Sequence, residues 1–527
     1  MLKARTARGG MVSAPHHLAA QAGAAVLRDG GNAVEAMVAA AATIAVVYPH
    51  MNSLGGDGFW LIAEPGKAPV GIDACGRSAA LADRGFYAER GLEAIPSRGP
   101  HAANTVAGAL SGWQAALAAL PCRLPLARLL ADAIGHARDG VPVTQNQVDY
   151  TARFLPELVG QPGFATTYLA AGRPPEVGGS QRFPSLATTL ERLASHGLDD
   201  FYRGDVARAL AAELERVDSP VRRDDLERHR AVVVAPLATA LSVGTAYNLP
   251  PPTQGLASLM ILAIFDRLRA GVREETFEHV HLLVEATKQA FLVRNRHVRD
   301  PAAMEADAAS FLAVDTLDGC ARAVDPERAR PWPEPATRGD TVWMGAADRE
   351  GRVVSYIQSV YWEFGSGVVL ADTGITWQNR GSSFSLDPAA PLALAPRRKP
   401  FHTLNPALAR LADGRTIAYG AMGGDGQPQT QAAVFSRHAM FGQDLQQAVS
   451  APRWLLGRTW GAMSVSLKLE SRFPAALADA LRRSGHDVEM LDAWSDTVGH
   501  AGAVAVDPRG CIAAASDPRS DGGVAGC

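Results

Sequence analysis

The chain has 527 residues, of which 47% are hydrophobic and 20% charged, a composition typical of a globular protein with a large core. Its formal net charge is −3 and it has no dense run of lysine and arginine, so the sequence indicates neither nucleic acid nor an anionic membrane as a partner. The longest apolar run, residues 36–48, is too short to span a bilayer, and the basic first residues are not followed by the apolar core of a secretory signal. We therefore expect a cytoplasmic protein.

The cysteines and glycines argue against a metal site or a cofactor. The five cysteines are scattered, odd in number and without a Cys-x-x-Cys spacing, which is typical of free thiols rather than of a disulfide scaffold or a zinc knuckle. The Gly-Gly-Asp-Gly run at residues 55–58 is not a Gly-x-Gly-x-x-Gly between a strand and a helix, and it has no Walker lysine. We interpret it as a turn at which the backbone approaches a functional site.

Taken in chain order, the sequence of the first two thirds of the chain predicts mainly helices, with strands at both ends of that region. Start and stop signals predict helices at residues 12–29, 33–47, 104–120, 124–139, 183–196, 206–217, 256–270 and 277–295. Alternating apolar residues predict strands at 59–62, 69–73 and 232–243. Residues 301–338 are rich in Ala, Pro, Arg and Asp and predict an extended, exposed linker.

Thr341 begins a predicted β-hairpin. Alternating apolar residues predict a strand from Thr341 to Ala347, and the turn at residues 349–352 returns the chain as a second strand from Val353 to Tyr361. Taken alone, a threonine at the start of a strand indicates only the high β propensity of that residue type.

A series of motifs gives this threonine a further meaning. Gly-Asp-Thr at residues 339–341 is followed by an Asp-x-x-Gly turn and by Phe-Gly-Ser-Gly at 364–367, while Gly-Gly-Asn-Ala-Val-Glu-Ala at 30–36 lies near the start. In this order the motifs resemble the gamma-glutamyltransferase family over nearly the whole chain. The resemblance implies an α+β fold, the four-layer αββα sandwich of the N-terminal-nucleophile hydrolase type.

The resemblance also implies that the chain cuts itself. In that family a precursor is cleaved before a threonine that becomes both nucleophile and N-terminus, and the matching bond here is Asp340–Thr341. The products would be a large subunit 1–340 and a small subunit 341–527 that stay associated as one intertwined domain, with a dimer of these heterodimers left open. Because a hydroxyl needs a base close by, the freed α-amine, with an ordinary pKa of about 7.7–8.0, would serve.

Three further positions match catalytic elements of the family. Ser359 lies where relatives carry a second hydroxyl that hydrogen-bonds the nucleophile. Gly423 and Gly424 stand at a corner between a predicted strand, residues 417–421, and a predicted helix, residues 428–441. Their N–H groups would form an oxyanion hole, helped by the helix dipole.

The residues expected to hold substrate are partly altered. Arg77 follows a strand where the family places an arginine for the substrate α-carboxylate, which a planar guanidinium suits, although an ordinary surface ion pair is the alternative. The family loop Asn-Gln-Met-Asp-Asp-Phe is here Asn-Arg-Gly-Ser-Ser-Phe, so that Arg380 replaces the glutamine and Ser383 replaces the aspartate that holds an α-ammonium.

Three more positions complete the expected substrate site. Tyr361 stands where relatives carry an asparagine that helps to hold substrate, and Trp362 and Glu363 beside it also depart from the family pattern. His402 and Thr403 lie in a segment that replaces the Pro-x-Ser-Ser-Met-x-Pro of the family.

These changes predict the substrate class. A desolvated ammonium needs a negative partner, so losing a carboxylate and gaining a guanidinium suits a small anion without an amino group. The pattern resembles the oxamate amidohydrolase branch, which converts oxamate to oxalate and ammonia in purine-nitrogen breakdown. The alternatives are a gamma-glutamyltransferase or glutathione hydrolase, a β-lactam acylase and, outside enzymes, an inactive binding scaffold with the same fold.

Overall fold

The computed structural model describes residues 3–333, 340–457 and 464–527, and two seven-stranded antiparallel sheets form its centre. In spatial order sheet 1 contains Arg5–Ala7, Ile512–Ser516, Ala501–Val506, Thr416–Ala421, Ala407–Leu411, Gly244–Asn248 and Leu237–Leu241. In spatial order sheet 2 contains Gly523–Gly526, Gly10–Ala14, Asp340–Asp348, Val353–Tyr361, Asp57–Ala63, Val70–Ala74 and Val232–Val234. Smaller sheets are formed by Trp454–Leu456, Leu467–Glu470 and Val488–Leu491, by Val141–Pro142 and Ser180–Gln181, and by Val369–Leu370 and Ile375–Thr376.

Alternation along the strands divides the core into an inner and two outer parts. In the Asp340–Asp348 strand, Trp343 belongs to an apolar cluster shared with Leu408 and Val504 of sheet 1, whereas Val342 and Met344 belong to a cluster shared with helices. Successive strand residues point to opposite faces, so the two sheets face each other and each carries helices on its other face. The strand therefore lies buried on both sides.

Close packing between the sheets requires glycine opposite the Trp343 indole. A Cβ added to Gly420 would lie 2.1 Å from Trp343 Cδ1, and one added to Gly502 would lie 2.4 Å from Cζ3. The indole nitrogen donates a 2.9 Å hydrogen bond to Ser355 Oγ on the neighbouring strand. Trp343, two residues after Thr341 on the same strand, thus fixes the distance between the sheets.

Helices cover the outer faces. On sheet 2 they are His17–Arg28, Ala33–Val47, Ala109–Ala119 and, further out, Leu126–Asp139 and Pro184–His196; on sheet 1 they are Gly255–Leu268, Phe277–His297, Gln427–Phe435 and Leu445–Ser450. The remaining helices are Arg84–Ala88, Gln145–Leu158, Phe164–Tyr168, Asp200–Arg203, Asp205–Arg216, Arg223–Arg228, Val314–Arg322 and Ala475–Arg483. Ala33–Val47 is buried at every residue and begins with a capping box between Asn32 and Glu35, as its apolar sequence predicts.

Two predicted helices begin later than expected. Residues 10–14 form a strand between two others, and the helix begins only at His17, so the predicted start at residue 12 is wrong. The helix predicted from Asn104 begins at Ala109 because Thr105 bridges to Ser78 and the loop is held by buried side chains. Short strands of small residues, buried on both faces, show no alternation from which the sequence could reveal them.

The predicted linker is also partly wrong. Residues 301–338 include the short turns Pro301–Ala303 and Ala308–Leu312 and the helix Val314–Arg322, whose Leu317 and Ala321 pack into the core beside Gly255–Leu268. Residues 334–338 lie outside the described part. The predicted helix 428–441 covers Gln427–Phe435 and continues as a π-turn at Ser436–Met440.

The described residues form an α+β protein, as predicted. Within the described ranges, none of the helices combines the length and the hydrophobicity that crossing a bilayer requires.

Candidate active site

Thr341 lies at a β-bulge near the start of its strand. Asp340 pairs with Tyr361 and Val342 with Gln358, so the single Thr341 lies opposite both Ser359 and Val360. The strand continues across the Asp340–Thr341 bond, and the Thr341 side chain is buried. Its Oγ1 accepts a 3.2 Å hydrogen bond from Gln427 Nε2.

Ser359 connects the two strands that flank it. It pairs across the sheet with Asp57 on one side and faces the Thr341 bulge on the other. Its Oγ accepts a 2.8 Å hydrogen bond from the Tyr361 N–H, which holds the chain in its turn away from the strand. The structure thus brings the two predicted hydroxyl residues together at one end of sheet 2.

The Gly423–Gly424 turn follows a strand of the opposite sheet. Gly423 has φ 118° and Gly424 φ 51°, left-handed values that favour glycine. In the described part of the chain, neither glycine N–H donates a hydrogen bond to the protein. The Gly424 carbonyl accepts a 2.8 Å hydrogen bond from Gln254 Nε2, which fixes the turn from the other side.

A buried ion pair stabilises the Gly423–Gly424 turn. Arg294 Nη1 lies 3.1 Å from Asp425 Oδ1, both side chains are buried, and Arg294 also donates to Gln254 Oε1 at 2.9 Å. The same Gln254 donates to the Thr403 carbonyl at 2.8 Å. The predicted oxyanion turn and the predicted substrate loop are therefore held by one shared side chain.

Arg380 is a buried cation beside Tyr361. Its guanidinium carbon lies 3.5 Å from the centroid of the Tyr361 ring, and its Nη1 donates a 3.1 Å hydrogen bond to Thr403 Oγ1. Its Nε and Nη2 are buried and find no hydrogen-bond partner among the described residues, and no carboxylate there forms an ion pair with it. Burial lowers the pKa of Arg380, because the charged form has lost its water.

Asp57 organises the loops behind Arg380. Its Oδ1 accepts hydrogen bonds from the N–H groups of Gly76 at 2.9 Å and Gly108 at 3.0 Å, and from Gln378 Nε2 at 3.1 Å. Its Oδ2 lies 3.0 Å from His402 Nε2. Burial raises the pKa of Asp57 to about 7, while burial and then the charge of Arg380 hold the pKa of His402 well below its ordinary value.

Within the described ranges, two buried groups each contain three potential metal ligands whose ligand atoms lie within 4.8 Å of one another. The first is Asp57, Cys75 and His402, and the second is His281, Glu285 and His486. Neither matches a metal centre well. In the first, the Asp57 carboxylate already accepts hydrogen bonds and Arg380 contributes a positive charge nearby. In the second, the Lys288 ammonium lies 2.6 Å from Glu285 Oε1 and supplies the cation itself.

The remaining predicted residues lie in different surroundings. Arg77 has a side chain that is 49% exposed, donates to the Arg397 carbonyl at 3.0 Å and lies 3.7 Å from Asp300 Oδ2, outside the buried group around Arg380. Ser383 ends the short turn Arg380–Ser383, and its Oγ is buried with no partner in the described part of the chain.

Four residues of this network were not predicted from the sequence: Asp57 as a side-chain hub, Gln254, Asn405 and Gln427. Asn405 Nδ2 donates to the Thr403 carbonyl at 2.9 Å and to Gln427 Oε1 at 3.0 Å, which links the Arg380 loop to Thr341 through hydrogen bonds. One signal was available, since three glutamines, at 427, 429 and 431, begin a helix in which all are buried. Buried amides at that density indicate a polar network.

Comparisons with known proteins identify the family of the chain. The sequence model described as Gamma-glutamyltranspeptidase matches residues 19–527. The chain is 55% identical over 521 residues to the oxamate amidohydrolase proenzyme of Klebsiella pneumoniae, covering 98% of both proteins, and 38% identical to a glutathione hydrolase-like proenzyme of Bacillus subtilis, again covering 98% of both. It is similar to the crystal structure of cephalosporin acylase from Bacillus halodurans, with a TM-score of 0.91 and 33% identity over 100% of this chain and 97% of that one. The family resemblance inferred from the order of the motifs is thus confirmed, and the chain belongs to the gamma-glutamyltranspeptidase family.

Proposed function

We propose that this protein is a self-processing amidohydrolase that converts oxamate to oxalate and ammonia through an ester on Thr341. The choice of substrate rests on one observation about Arg380. Its guanidinium is buried, has no carboxylate partner in the described residues, and has two nitrogens, Nε and Nη2, without a hydrogen-bond partner there. A buried charge of this kind is costly unless a ligand compensates it, and a carboxylate fits a guanidinium fork. The name of the Klebsiella relative, oxamate amidohydrolase proenzyme, supports this choice at 55% identity.

Maturation precedes activity in this proposal. Thr341 Oγ attacks the Asp340 carbonyl carbon, the C–N bond breaks to give an ester and a free α-amine, and water then cleaves the ester. The products are the subunits 1–340 and 341–527, which stay together as a heterodimer because strands of both are interleaved within sheet 2. We infer that the two facing sheets and their helices form the αββα sandwich of N-terminal-nucleophile hydrolases.

The freed amine of Thr341 then acts as its base. It takes the Oγ proton as Oγ attacks the oxamate amide carbon, and the N–H groups of Gly423 and Gly424 stabilise the oxyanion. Ser359 orients the nucleophile from the neighbouring strand. The C–N bond breaks with proton transfer to nitrogen, ammonia leaves, and water hydrolyses the oxalyl ester to oxalate.

Substrate binding is assigned to the Arg380 loop. Arg380 Nε and Nη2 bind the oxamate carboxylate, with Thr403 and Tyr361 holding the guanidinium in place, Ser383 Oγ as a further donor and His402 behind the loop. We assign this role to Arg380 in preference to Arg77, because Arg77 is half exposed and already near Asp300. Ser383 supplies a hydroxyl where the family has a carboxylate for the substrate ammonium, which disfavours glutamyl substrates. The cytoplasmic location and the role in purine-nitrogen breakdown stay predictions from the sequence.

The test measures ammonia release from oxamate, glutamine and a γ-glutamyl anilide in parallel, with protein whose cleavage is first followed on a denaturing gel. We expect two fragments and turnover of oxamate alone. Two fragments with γ-glutamyl turnover would favour the glutathione hydrolase activity named for the Bacillus subtilis relative. A stable full-length band without turnover would favour an inactive scaffold.

A further inference from the structure

Gln427 contacts the reacting oxygen of Thr341 and belongs to none of the groups assigned above. It begins the helix Gln427–Phe435 immediately after the Gly423–Gly424 turn, and its side chain is buried. Its Nε2 donates a 3.2 Å hydrogen bond to Thr341 Oγ1, and its Oε1 accepts one of 3.0 Å from Asn405 Nδ2.

The neighbours of Gln427 fix which end of its amide faces Thr341. Asn405 Nδ2 also donates to the Thr403 carbonyl at 2.9 Å, and a carbonyl can only accept, so the nitrogen of Asn405 is on this side. The atom of Gln427 that faces this nitrogen must then be its oxygen. Consequently the Nε2–H group points at Thr341 Oγ1 and cannot exchange places with the carbonyl oxygen without losing a buried hydrogen bond.

We propose that Gln427 is a catalytic residue that stabilises Thr341 Oγ as it leaves its ester, both in turnover and in self-cleavage. This inference rests on the proposed function and deepens it. In deacylation, water attacks the ester carbon and passes a proton to the Thr341 α-amine. The C–Oγ bond breaks, its electron pair stays on Oγ, and Oγ takes a proton from the α-ammonium.

The hydrogen bond matters most when Oγ carries negative charge. A hydroxyl oxygen can accept from Gln427 while its own proton remains available to the base, so attack is not blocked. When the C–Oγ bond breaks, the same donor faces a developing alkoxide, and hydrogen bonds to charged groups are the stronger kind. The ester between Asp340 and Thr341 that forms in self-cleavage has the same leaving oxygen and therefore the same requirement.

The test uses Gln427→Met, which keeps length and removes the donor, and Gln427→Glu, which keeps shape. Gln429→Met is the matched control, because Gln429 is equally buried on the same helix, but its hydrogen bonds among the described residues go to backbone groups of Leu456 and Asp425. Each protein is assayed with oxamate, and the acid-quenched small subunit is weighed by mass spectrometry. A time course of precursor cleavage is run with and without hydroxylamine, which cleaves esters.

For both Gln427 variants we expect kcat to fall about tenfold to a hundredfold while kcat/KM stays nearly unchanged, because acylation is spared and deacylation slowed. The oxalyl ester should then accumulate on the small subunit, and precursor cleavage should be slow but accelerated by hydroxylamine. Gln429→Met should show neither effect. A fall in kcat/KM equal to that in kcat, without ester, would overturn the proposal and leave Gln427 a structural residue.

Failure of the proposed function would look different. If the cleaved wild-type protein released no ammonia from oxamate, the substrate would be wrong, and the hydroxylamine-sensitive ester of self-cleavage would still decide the role of Gln427. If hydroxylamine had no effect on cleavage of either variant, the role in self-cleavage would be excluded independently of the substrate.

Discussion

The guanidinium of Arg380 lies 3.5 Å from the centroid of the Tyr361 ring, at the point where the strand after Thr341 ends. Tyr361 adopts φ 83°, a left-handed value that costs a non-glycine residue free energy. Its N–H donates to Ser359 Oγ, so the strained turn places the ring and the Ser359 hydroxyl relative to one another. A substrate carboxylate bound by Arg380 would thus be held at a fixed position relative to the strand Val353–Tyr361, which contains Ser359.

Arg380→Met should strongly reduce activity and stabilise the protein at the same time. Loss of the carboxylate partner should reduce kcat/KM for oxamate by about a hundredfold or more. Removal of an uncompensated buried charge should raise the free energy of unfolding by about 1–2 kcal/mol. Activity assays and thermal melts of the same preparation check both effects, and a destabilised variant would show that the guanidinium is already compensated.

Arg380→Gln combined with Ser383→Asp should shift specificity towards amino acids. The pair restores the carboxylate for a substrate ammonium and removes the competing cation, so the ratio of γ-glutamyl to oxamate turnover should rise at least about tenfold. Each single variant serves as a control, because a lone Ser383→Asp would pair its carboxylate with Arg380. An unchanged ratio in the double variant would mean that other residues set specificity.

Thr341→Ala should leave the chain uncut and inactive. No other group can supply both the hydroxyl and the α-amine at that position, so the rate of ammonia release should fall at least about 10⁴-fold. Thr341→Ser keeps the hydroxyl and should cleave slowly. A denaturing gel over time checks both, and cleavage of the alanine variant at the same bond would assign the nucleophile elsewhere.

Asp57 should make stability depend on pH near neutrality. Its pKa of about 7 lies above the ordinary 3.8, so between these values the folded protein holds a proton that the unfolded chain has released. The free energy of unfolding should therefore fall as pH rises from about 4 to about 7, and the contribution is constant above that range.

Asp57→Asn isolates this effect, because an amide keeps the shape and cannot ionise. Unfolding of the uncut Thr341→Ala chain by urea, at about pH 5 and about pH 8, should show a smaller loss of stability when Asp57→Asn is added. Equal losses in the two chains would mean that another group causes the dependence.

The sequence predicted strands and helices where the pattern was strong and local. Val353–Tyr361 and Ala33–Val47 agree with prediction at both ends, because one alternates and the other is apolar and capped. The Gly10–Ala14 strand was missed because its neighbours in sheet 2, Asp340–Asp348 and Gly523–Gly526, are distant in sequence.

Site residues could be predicted from the sequence only where they belong to a motif of the family. Thr341, Ser359 and the glycine turn follow from the family pattern, and the structure brings them to adjoining ends of the two sheets. Gln427 and Asn405 act through hydrogen bonds between segments, which leave no local pattern in the sequence. The burial of Arg380 and the exposure of Arg77 are likewise tertiary facts, since both are arginines in short loops.

The interleaving of strands from both fragments in sheet 2 affects whether the cleaved protein can refold. The Gly10–Ala14 strand of the large fragment lies between Gly523–Gly526 of the small one and the Asp340–Asp348 strand, which belongs to the small fragment from Thr341 onward. Once the bond before Thr341 is broken, two separate molecules would have to find each other before this sheet could close, and recovery from unfolding would depend on concentration. Only the intact chain would then fold as a single molecule. The lifetime of the mature enzyme would be set by its rate of unfolding rather than by its equilibrium stability.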